Sequence, residues 1–208
     1  MPKQVDHDER KAQLVAAVWR VITIHGVEGV SLRVIAKEAE CTTGRISHYF
    51  ADREELLVAA LQAVHDSAKQ RMLDLSTTTA TTTTTDPKAL LRAVLLEALP
   101  LDAPRLLEWK VWVGFWGLAT TTPRLAKFNA DRYSEWQEAL RPLLKSLLGR
   151  RSVERELRTI IALIDGFGLQ LAIGTTAQTV REVTNAVEDY LDHLTNQLRQ
   201  LSKKSASI

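Results

Sequence analysis

The sequence is poor in cysteine, in long apolar runs and in net charge. Cys41 is the only cysteine among 208 residues, so an internal disulfide and a multi-cysteine metal site are both excluded. No apolar run reaches the roughly 18 residues that a membrane helix requires. The formal net charge is +2, which by itself does not indicate a polyanionic partner. Because 45% of the residues are hydrophobic, we expect a folded core rather than disorder.

The N-terminal stretch MPKQVDHDERK is rich in charge. It lacks the apolar segment of a secretory signal. We therefore expect a soluble cytoplasmic protein that does not associate with membranes.

Short enzyme motifs are also missing from the sequence. It contains no HExxH, no CxxC and no glycine-rich phosphate loop. Cys41 and His48 are the candidate nucleophile and base, but seven residues set them about 10 Å apart along a helix. A nucleophile and its base need hydrogen-bond contact at about 3 Å. We therefore predict no enzymatic activity, no catalytic residues, no metal and no cofactor, and we interpret Cys41 as an inert residue packed in a turn.

Apolar residues recur at helical spacing over most of the chain, and no segment alternates as a strand would. The pattern predicts an all-α fold of about nine helices. An N-terminal three-helix helix-turn-helix domain would span residues 1–52, and a bundle of longer helices would span residues 53–208. Ser31, Thr42 and the pair Asp52 and Glu55 have the residue types and spacing of helix N-caps. The predicted helices cover about 8–25, 31–39, 42–49, 52–75, 87–99, 103–120, 123–148, 152–173 and 178–202.

Two features interrupt the helical pattern. Residues 76–85, STTTATTTTT, are almost all threonine, whose β-branched side chain and competing hydroxyl disfavour helix. This stretch is predicted to be an exposed loop. Pro142 lies inside the segment 123–148 and is predicted to kink or split that helix.

The short segments 31–39 and 42–49, joined by a tight turn, are typical of a helix-turn-helix unit. In such a unit the N-terminal residues of the second helix enter the major groove. Arg45 could contact guanine O6 and N7 with two of its guanidinium N–H groups, and Gly44 would let the backbone approach the duplex closely. Ile46 and Phe50 would point inward. A helical hairpin with a solvated polar face, acting as a protein-interaction module without DNA binding, remains the alternative at this point.

The stretch HGVEGVSLRVIAKEAECTTGRISHYFADREELL, residues 25–57, resembles the DNA-binding domain of the TetR/AcrR family of bacterial regulators. The matching positions are Gly26, Ser31, Ile35, Ala36, Gly44, His48, Tyr49, Phe50 and Arg53. The resemblance implies that Thr43 and Arg45 face bases, and that Ser31, Thr42, Tyr49 and Arg53 face phosphates. The complete predicted DNA-binding set is Ser31, Arg33, Thr42, Thr43, Gly44, Arg45, Ser47, His48, Tyr49 and Arg53.

The sequence departs from the family pattern at two positions. Glu40 occupies the turn position that is usually glycine. If that residue takes a positive φ, the strain is expected to cost roughly 1 kcal/mol. Ser47 occupies a position that is often a phosphate-contacting tyrosine, so that contact is expected to be shorter or lost.

Two blocks further along the chain, KVWVGFW at 110–116 and ALIDGFGLQLAIG at 162–174, resemble the choline-responsive, BetI-like subgroup of the same family. This resemblance implies a C-terminal domain that dimerises and binds a small-molecule effector. It makes a ligand-responsive repressor, released from a pseudo-palindromic operator by its effector, the predicted function. The predicted partners are double-stranded operator DNA, the effector and a second copy of the chain.

Three tryptophans at i, i+3 and i+7 form one stripe of a predicted helix. They would either pack in the core or line a ligand cavity. Aromatic faces and a carboxylate suit a cationic amine such as choline or a polyamine, and a hydrophobic or aromatic effector is the alternative. The candidate ligand residues are Glu108, Trp109, Trp112, Phe115, Trp116 and Asp165.

The last two predicted helices combine small residues with a long apolar stripe. Small residues allow close helix contact, so this pair is predicted to form the interface of a homodimer. The candidate interface residues are Gly166, Ala172, Val183, Val187, Tyr190, Leu191 and Leu194.

Overall fold

The computed structural model of the chain describes the backbone of residues 2–80, 86–148, 152–174 and 179–205 and the side chains of 7–75, 86–148, 152–174 and 179–196. Every element within these ranges is helical, which confirms the all-α prediction. None of the described helices is both long and apolar enough to cross a bilayer. The elements are α1 (Pro2–His25), a 3₁₀ turn (Val27–Gly29), α2 (Leu32–Glu38), α3 (Thr43–Tyr49), α4 (Arg53–Ala80), α5 (Pro87–Glu97), α6 (Ala103–Ala119), α7 (Pro123–Leu148), α8 (Val153–Ile173) and α9 (Val180–Ser205).

The chain divides into two compact units. The first unit comprises residues 1–67 and 107–131, and the second comprises residues 68–106 and 132–208. The first unit therefore contains α1, α2 and α3 together with the N-terminal half of α4, most of α6 and the start of α7.

Side-chain caps begin the short helices of the first unit, as their residue types predicted. Ser31 Oγ accepts a hydrogen bond from the backbone N–H of Val34 at 3.2 Å, and Thr42 Oγ1 accepts one from Arg45 at 3.2 Å. At the start of α4, Asp52 Oδ1 accepts from the N–H of Glu55 at 2.7 Å. These bonds satisfy donors that a helix start would otherwise leave unpaired.

The turn between α2 and α3 is built on a left-handed residue. Glu40 has φ +49°, so the condition for backbone strain at this position is met. Its N–H donates to the carbonyl of Lys37 at 3.3 Å, and the N–H of Cys41 donates to the carbonyl of Ala36 at 2.9 Å. This pair of bonds is the Schellman arrangement, in which a left-handed residue ends the helix. Cys41 follows it and packs, partly buried, against the core of the first unit.

The core of the first unit is continuous from the helix-turn-helix into α6. Ile46 and Phe50 are 0% and 1% exposed, which confirms that they point inward from α3. Phe115 of α6, at 0% exposed, belongs to the same core cluster. The backbone of α6 comes especially close at Gly114, where a Cβ would lie 2.1 Å from Val27 Cγ2 of the 3₁₀ turn.

The threonine-rich stretch is not a loop throughout. Helix α4 continues to Ala80, so the loop prediction is wrong for residues 76–80, and residues 81–85 lie outside the described part of the chain. Threonine costs a helix less than about 0.7 kcal/mol per residue relative to alanine. Extending a long helix carries no new nucleation cost, so α4 continues into the first part of the threonine-rich stretch. Pro142 likewise does not split its helix, since α7 runs from Pro123 to Leu148 through it.

In the second unit, α9 packs against α5 and is tied to α8. Arg92 of α5 donates to Glu188 Oε1 of α9 from Nε at 2.9 Å, and Lys88 pairs with Asp192. Between α8 and α9, the Tyr190 hydroxyl donates to Glu156 Oε2 at 2.6 Å. These contacts direct the apolar stripe of α9 into the core of the second unit.

Candidate DNA-binding surface and effector residues

The predicted groove-facing side chains lie together on the exposed face of α3 and its cap. All of those at positions 42–45, 47 and 48 are exposed, and Arg33 on α2 is exposed as well. Ile46 and Phe50, on the opposite side, hold α3 to the core. The first unit thus presents the N-terminal end of α3 to solvent on a buried support, as a major-groove reading helix requires.

Three of the hydroxyls of this region, those of Ser31, Thr42 and Ser47, have different capacities left for a ligand. Ser31 and Thr42 accept backbone hydrogen bonds as N-caps, so their own protons remain to be donated to a phosphate oxygen. Ser47 Oγ instead donates to the carbonyl of Thr43 at 3.1 Å. With its proton committed to the backbone, Ser47 keeps only its acceptor capacity, which suits an amino group of a base better than a phosphate.

Gly44 is not required by packing within the protein. A Cβ at this position would meet only Thr42 Oγ1, at 3.9 Å, among the described side chains. Gly44 is also exposed at the start of α3. Packing within the described part of the protein therefore does not explain the glycine, and the close approach of DNA to Gly44 stays a prediction.

Arg53 joins two parts of the helix-turn-helix from within. Its Nε donates to the carbonyl of Val30 at 2.7 Å and its Nη2 donates to the carbonyl of Val27 at 2.7 Å. A carboxylate oxygen of Glu28 lies 3.7 Å away. The guanidinium therefore links the turn before α2 to the start of α4. The phosphate contact that the family resemblance implied remains a prediction.

The aromatic stripe of α6 lies in the first unit, and its rings pack largely against other residues of that unit. Phe115 is fully buried, and Trp112 and Trp116 pack against the same core. Trp116 Nε1 donates to Asn129 Oδ1 at 3.1 Å, and its ring meets Trp109 edge to face at 5.8 Å. Of the two readings of the stripe, these contacts are those of core packing, and the role of the stripe in ligand binding stays a prediction. Glu108, at the N-terminal end of the stripe, is buried at 8% exposed.

Asp165, the remaining candidate ligand residue, lies in the second unit and has a partner there. The Tyr133 hydroxyl of α7 donates to Asp165 Oδ2 at 2.7 Å. Burial raises the pKa of Asp165 above its ordinary value of 3.8, and the hydrogen bond from Tyr133 opposes that shift. Burial first, and then the neighbouring carboxylate, raise the pKa of Tyr133 far above its ordinary value of 10.0. A partly desolvated carboxylate with a single described donor attracts a cation more strongly than one in water does.

Tyr133 was not among the sequence candidates. It lies 32 residues before Asp165 in another helix, and no spacing rule connects two helices that meet only in the folded chain. A cleft of about 480 Å³ elsewhere in the second unit is lined by Lys145, Ser152 to Glu154 and Arg155, outside the predicted ligand set.

The predicted interface residues are mostly buried within the chain itself. Side chains at 183, 187 and 191 are 1%, 0% and 0% exposed, Leu194 is 5% exposed and Ala172 is 8% exposed. Tyr190 bonds to Glu156, and Gly166 is half-buried. The exposed apolar side chains nearby are instead Leu169, Ile173 and Val180. An apolar stripe shows that a helix is covered on one side, but not whether the same chain or a second copy covers it.

Comparison with known proteins agrees with this architecture. Residues 14–60 match the family described as bacterial regulatory proteins, tetR family. Residues 87–196 match the family described as BetI-type transcriptional repressor, C-terminal.

Individual relatives match over most of the chain. The HTH-type transcriptional regulator PksA of Bacillus subtilis (strain 168) is 32% identical over 172 residues, covering 81% of this chain and 82% of that protein. The HTH-type transcriptional regulator BetI of Burkholderia mallei (strain NCTC 10229) is 30% identical over 198 residues, covering 93% of this chain and 97% of that protein. A transcriptional regulator from Saccharomonospora viridis, solved in complex with choline, superposes with a TM-score of 0.79 at 22% identity. The match covers 89% of this chain and 97% of that protein. The chain therefore belongs to the TetR family of bacterial transcriptional regulators and carries a C-terminal domain of the BetI type.

Proposed function

We propose that this regulator is a homodimeric repressor that binds a pseudo-palindromic operator and releases it when a small-molecule effector binds. The observation that carries the proposal is the exposed face of α3, with Thr42 to Arg45, Ser47 and His48 turned to solvent and Ile46 and Phe50 anchored below. Family membership supports DNA binding as the activity of that face. Because a dimer carries two such faces, a two-fold symmetric site fits it.

Operator binding is tested by fluorescence anisotropy on DNA taken from upstream of the gene, at several salt concentrations. Specific binding that weakens as salt rises is expected, because phosphate contacts release counterions. Replacing Arg45 with Ala should cost about 1 to 3 kcal/mol and relax discrimination at one base position. Arg181→Ala, which removes an exposed arginine on α9, is the matched control and should leave discrimination unchanged. Specific binding that Arg45→Ala leaves intact would disprove the assignment of Arg45 to a base.

Gly44→Ala separates DNA recognition from folding. Since a Cβ has room in the protein, the substitution should leave stability unchanged or raise it by up to about 1 kcal/mol through helix propensity. The added methyl group would nevertheless stand between the α3 backbone and the duplex. Operator affinity is therefore expected to fall while the unfolding midpoint in urea does not. Equal affinity for both proteins would show that the backbone does not approach DNA at this position.

The proposed effector is a cationic amine, of which choline and polyamines are examples. Asp165 supports it, because its carboxylate is partly desolvated and receives one described hydrogen bond, from Tyr133. The structural neighbour solved with choline also supports it. A bound cation would stabilise the ionised carboxylate and lower the pKa of Asp165, so binding should release protons at acidic pH, where the carboxyl of the free protein is partly protonated.

Isothermal titration with choline and with spermidine, in two buffers of different ionisation enthalpy, measures both affinity and proton release. Asp165→Asn should weaken cation binding and abolish the proton release, whereas Glu154→Gln, an exposed carboxylate on the same helix, should change neither. If neither amine binds and an aromatic or hydrophobic compound displaces the operator instead, the alternative effector class is correct. Asp165 would then be a structural residue.

A further inference from the structure

The N-terminal turns of α1 lie beside the end of α3, in an arrangement that no sequence motif indicated. The ring centroid of His7 is 4.7 Å from that of Tyr49, with the planes tilted by 46°. His48 stands perpendicular to Tyr49 at 5.2 Å and meets His7 edge-on at 6.2 Å. The three rings form one contiguous group at distances typical of attractive aromatic pairs.

The same face of α1 also contacts Phe50, the residue that follows α3. Lys11, one helical turn after His7, places its Nζ 5.7 Å from the centre of the Phe50 ring. Leu14, one turn further, is buried at 4% exposed. Because residues 7, 11 and 14 share one side of a helix, the buried part of α1 fixes where His7 lies.

We propose that His7 is a positioning residue for DNA binding, packing on Tyr49 and thereby holding the rings of Tyr49 and His48 in place. The inference rests on the proposed operator binding by α3. Helix α3 has only seven residues. His48 is exposed, and Tyr49 packs on the core with only part of its surface, so contact with His7 adds a restraint on both rings. Fixing them before DNA arrives lowers the entropy that binding must overcome.

One further contact and the exposure of the ring describe the surroundings of His7. Its Nδ1 lies 3.8 Å from a carboxylate oxygen of Asp8. The ring is itself exposed, so its removal should leave the core of the first unit intact. Loss of His7 is therefore expected to affect binding and not folding.

The experiment compares operator binding by the full-length wild type, His7→Ala, His7→Phe and Gln13→Ala, using anisotropy together with thermal unfolding. His7→Ala should raise the operator Kd about 3- to 10-fold, the range that loss of an aromatic pair implies, while the unfolding midpoint falls by no more than a few degrees. His7→Phe keeps a ring against Tyr49 and should restore most of the affinity. Gln13 is an exposed neutral residue of α1, and its replacement should change nothing.

A double-mutant cycle with Tyr49→Ala assigns the effect to the ring contact. In the Tyr49→Ala background, His7→Ala should lower affinity by less than about 2-fold, since the partner ring is already missing. A full penalty in that background, or wild-type affinity for His7→Ala, overturns the role of His7 while leaving operator binding established. Failure of the wild type itself to bind any operator overturns the proposed function, and the role of His7 with it.

Discussion

At the scale of single residues, Glu40 occupies a backbone conformation in which side chains are strained. Its φ of +49° is left-handed, and a residue with a Cβ pays roughly 1 to 2 kcal/mol there. Glycine avoids that cost but loses about 0.5 to 1 kcal/mol more chain entropy on folding. The balance favours glycine by a modest margin.

Glu40→Gly is therefore expected to raise the free energy of unfolding by about 0.5 to 1 kcal/mol. Glu40→Ala, which removes the carboxylate but keeps the Cβ, serves as the control and should leave stability close to that of the wild type. Urea denaturation of the three proteins measures both effects. An equal gain for alanine would assign the strain to the charge of Glu40 and not to its backbone.

Asp165 makes stability depend on pH in a direction set by burial. Since its folded pKa is raised above 3.8, its contribution to stability is complete below that value and is lost as pH rises through the raised pKa. Asp165→Asn keeps an acceptor for the Tyr133 hydroxyl and removes the charge. It is expected to be more stable than the wild type near pH 7, with a smaller advantage near pH 4, close to the ordinary pKa of the carboxyl.

Tyr133→Phe provides the matched comparison for Asp165. It removes the hydroxyl donor and leaves the carboxylate in place, so it should lower stability near pH 7 by about 1 to 3 kcal/mol. Urea unfolding of both variants at the two pH values is the measurement. Destabilisation by Asp165→Asn near pH 7 would mean that the hydrogen bond outweighs the cost of burial.

At the scale of elements, Gly114 and Gly117 of α6 differ in what surrounds them. A Cβ on Gly114 would lie 2.1 Å from Val27 Cγ2, whereas one on Gly117 would meet nothing within 4 Å. Val27 is buried and its carbonyl holds the Arg53 guanidinium. The contact therefore ties α6 to the turn that precedes α2.

Gly114→Ala should lower the free energy of unfolding by about 1 to 3 kcal/mol, because the methyl group forces Val27 or the helix to shift. Gly117→Ala, on the same helix, should raise it by up to about 1 kcal/mol through helix propensity. Thermal and urea unfolding of the pair give the difference directly. Similar behaviour of the two variants would show that α6 moves away from Val27 at little cost.

Helices and their caps could be predicted from sequence because both depend on neighbours within four residues. Ser31 and Thr42 cap where their positions indicated. Contacts between distant segments could not be predicted in this way. Tyr133 bonds to Asp165, and His7 packs on Tyr49, yet neither pairing leaves a periodic trace in the sequence. The same limit explains why the apolar stripe of α9 suggested an interface, although it packs in the core.

At the scale of the whole molecule, the large apolar side chains described as exposed in the second unit are Leu73 of α4 and a group at the end of α8 and the start of α9. Leu169 and Ile173 are 36% and 53% exposed and share one face of α8 at i, i+4. Val180, at the start of α9, is 43% exposed. A second copy of the chain would remove these side chains from water, which makes them the core of the proposed dimer interface.

Ile173→Glu is expected to raise the dimer dissociation constant by at least about 100-fold. An unpaired charge buried in an interface costs several kcal/mol, each 1.4 kcal/mol is about a tenfold change, and two-fold symmetry introduces the charge twice. Ile24→Glu places the same charge on a side chain that is 68% exposed in the first unit, so it should remain dimeric. Sedimentation equilibrium over a range of micromolar concentrations distinguishes the two proteins. A dimer that persists with Ile173→Glu would place the interface on another surface, and the half-sites of the operator would then be spaced by that surface instead.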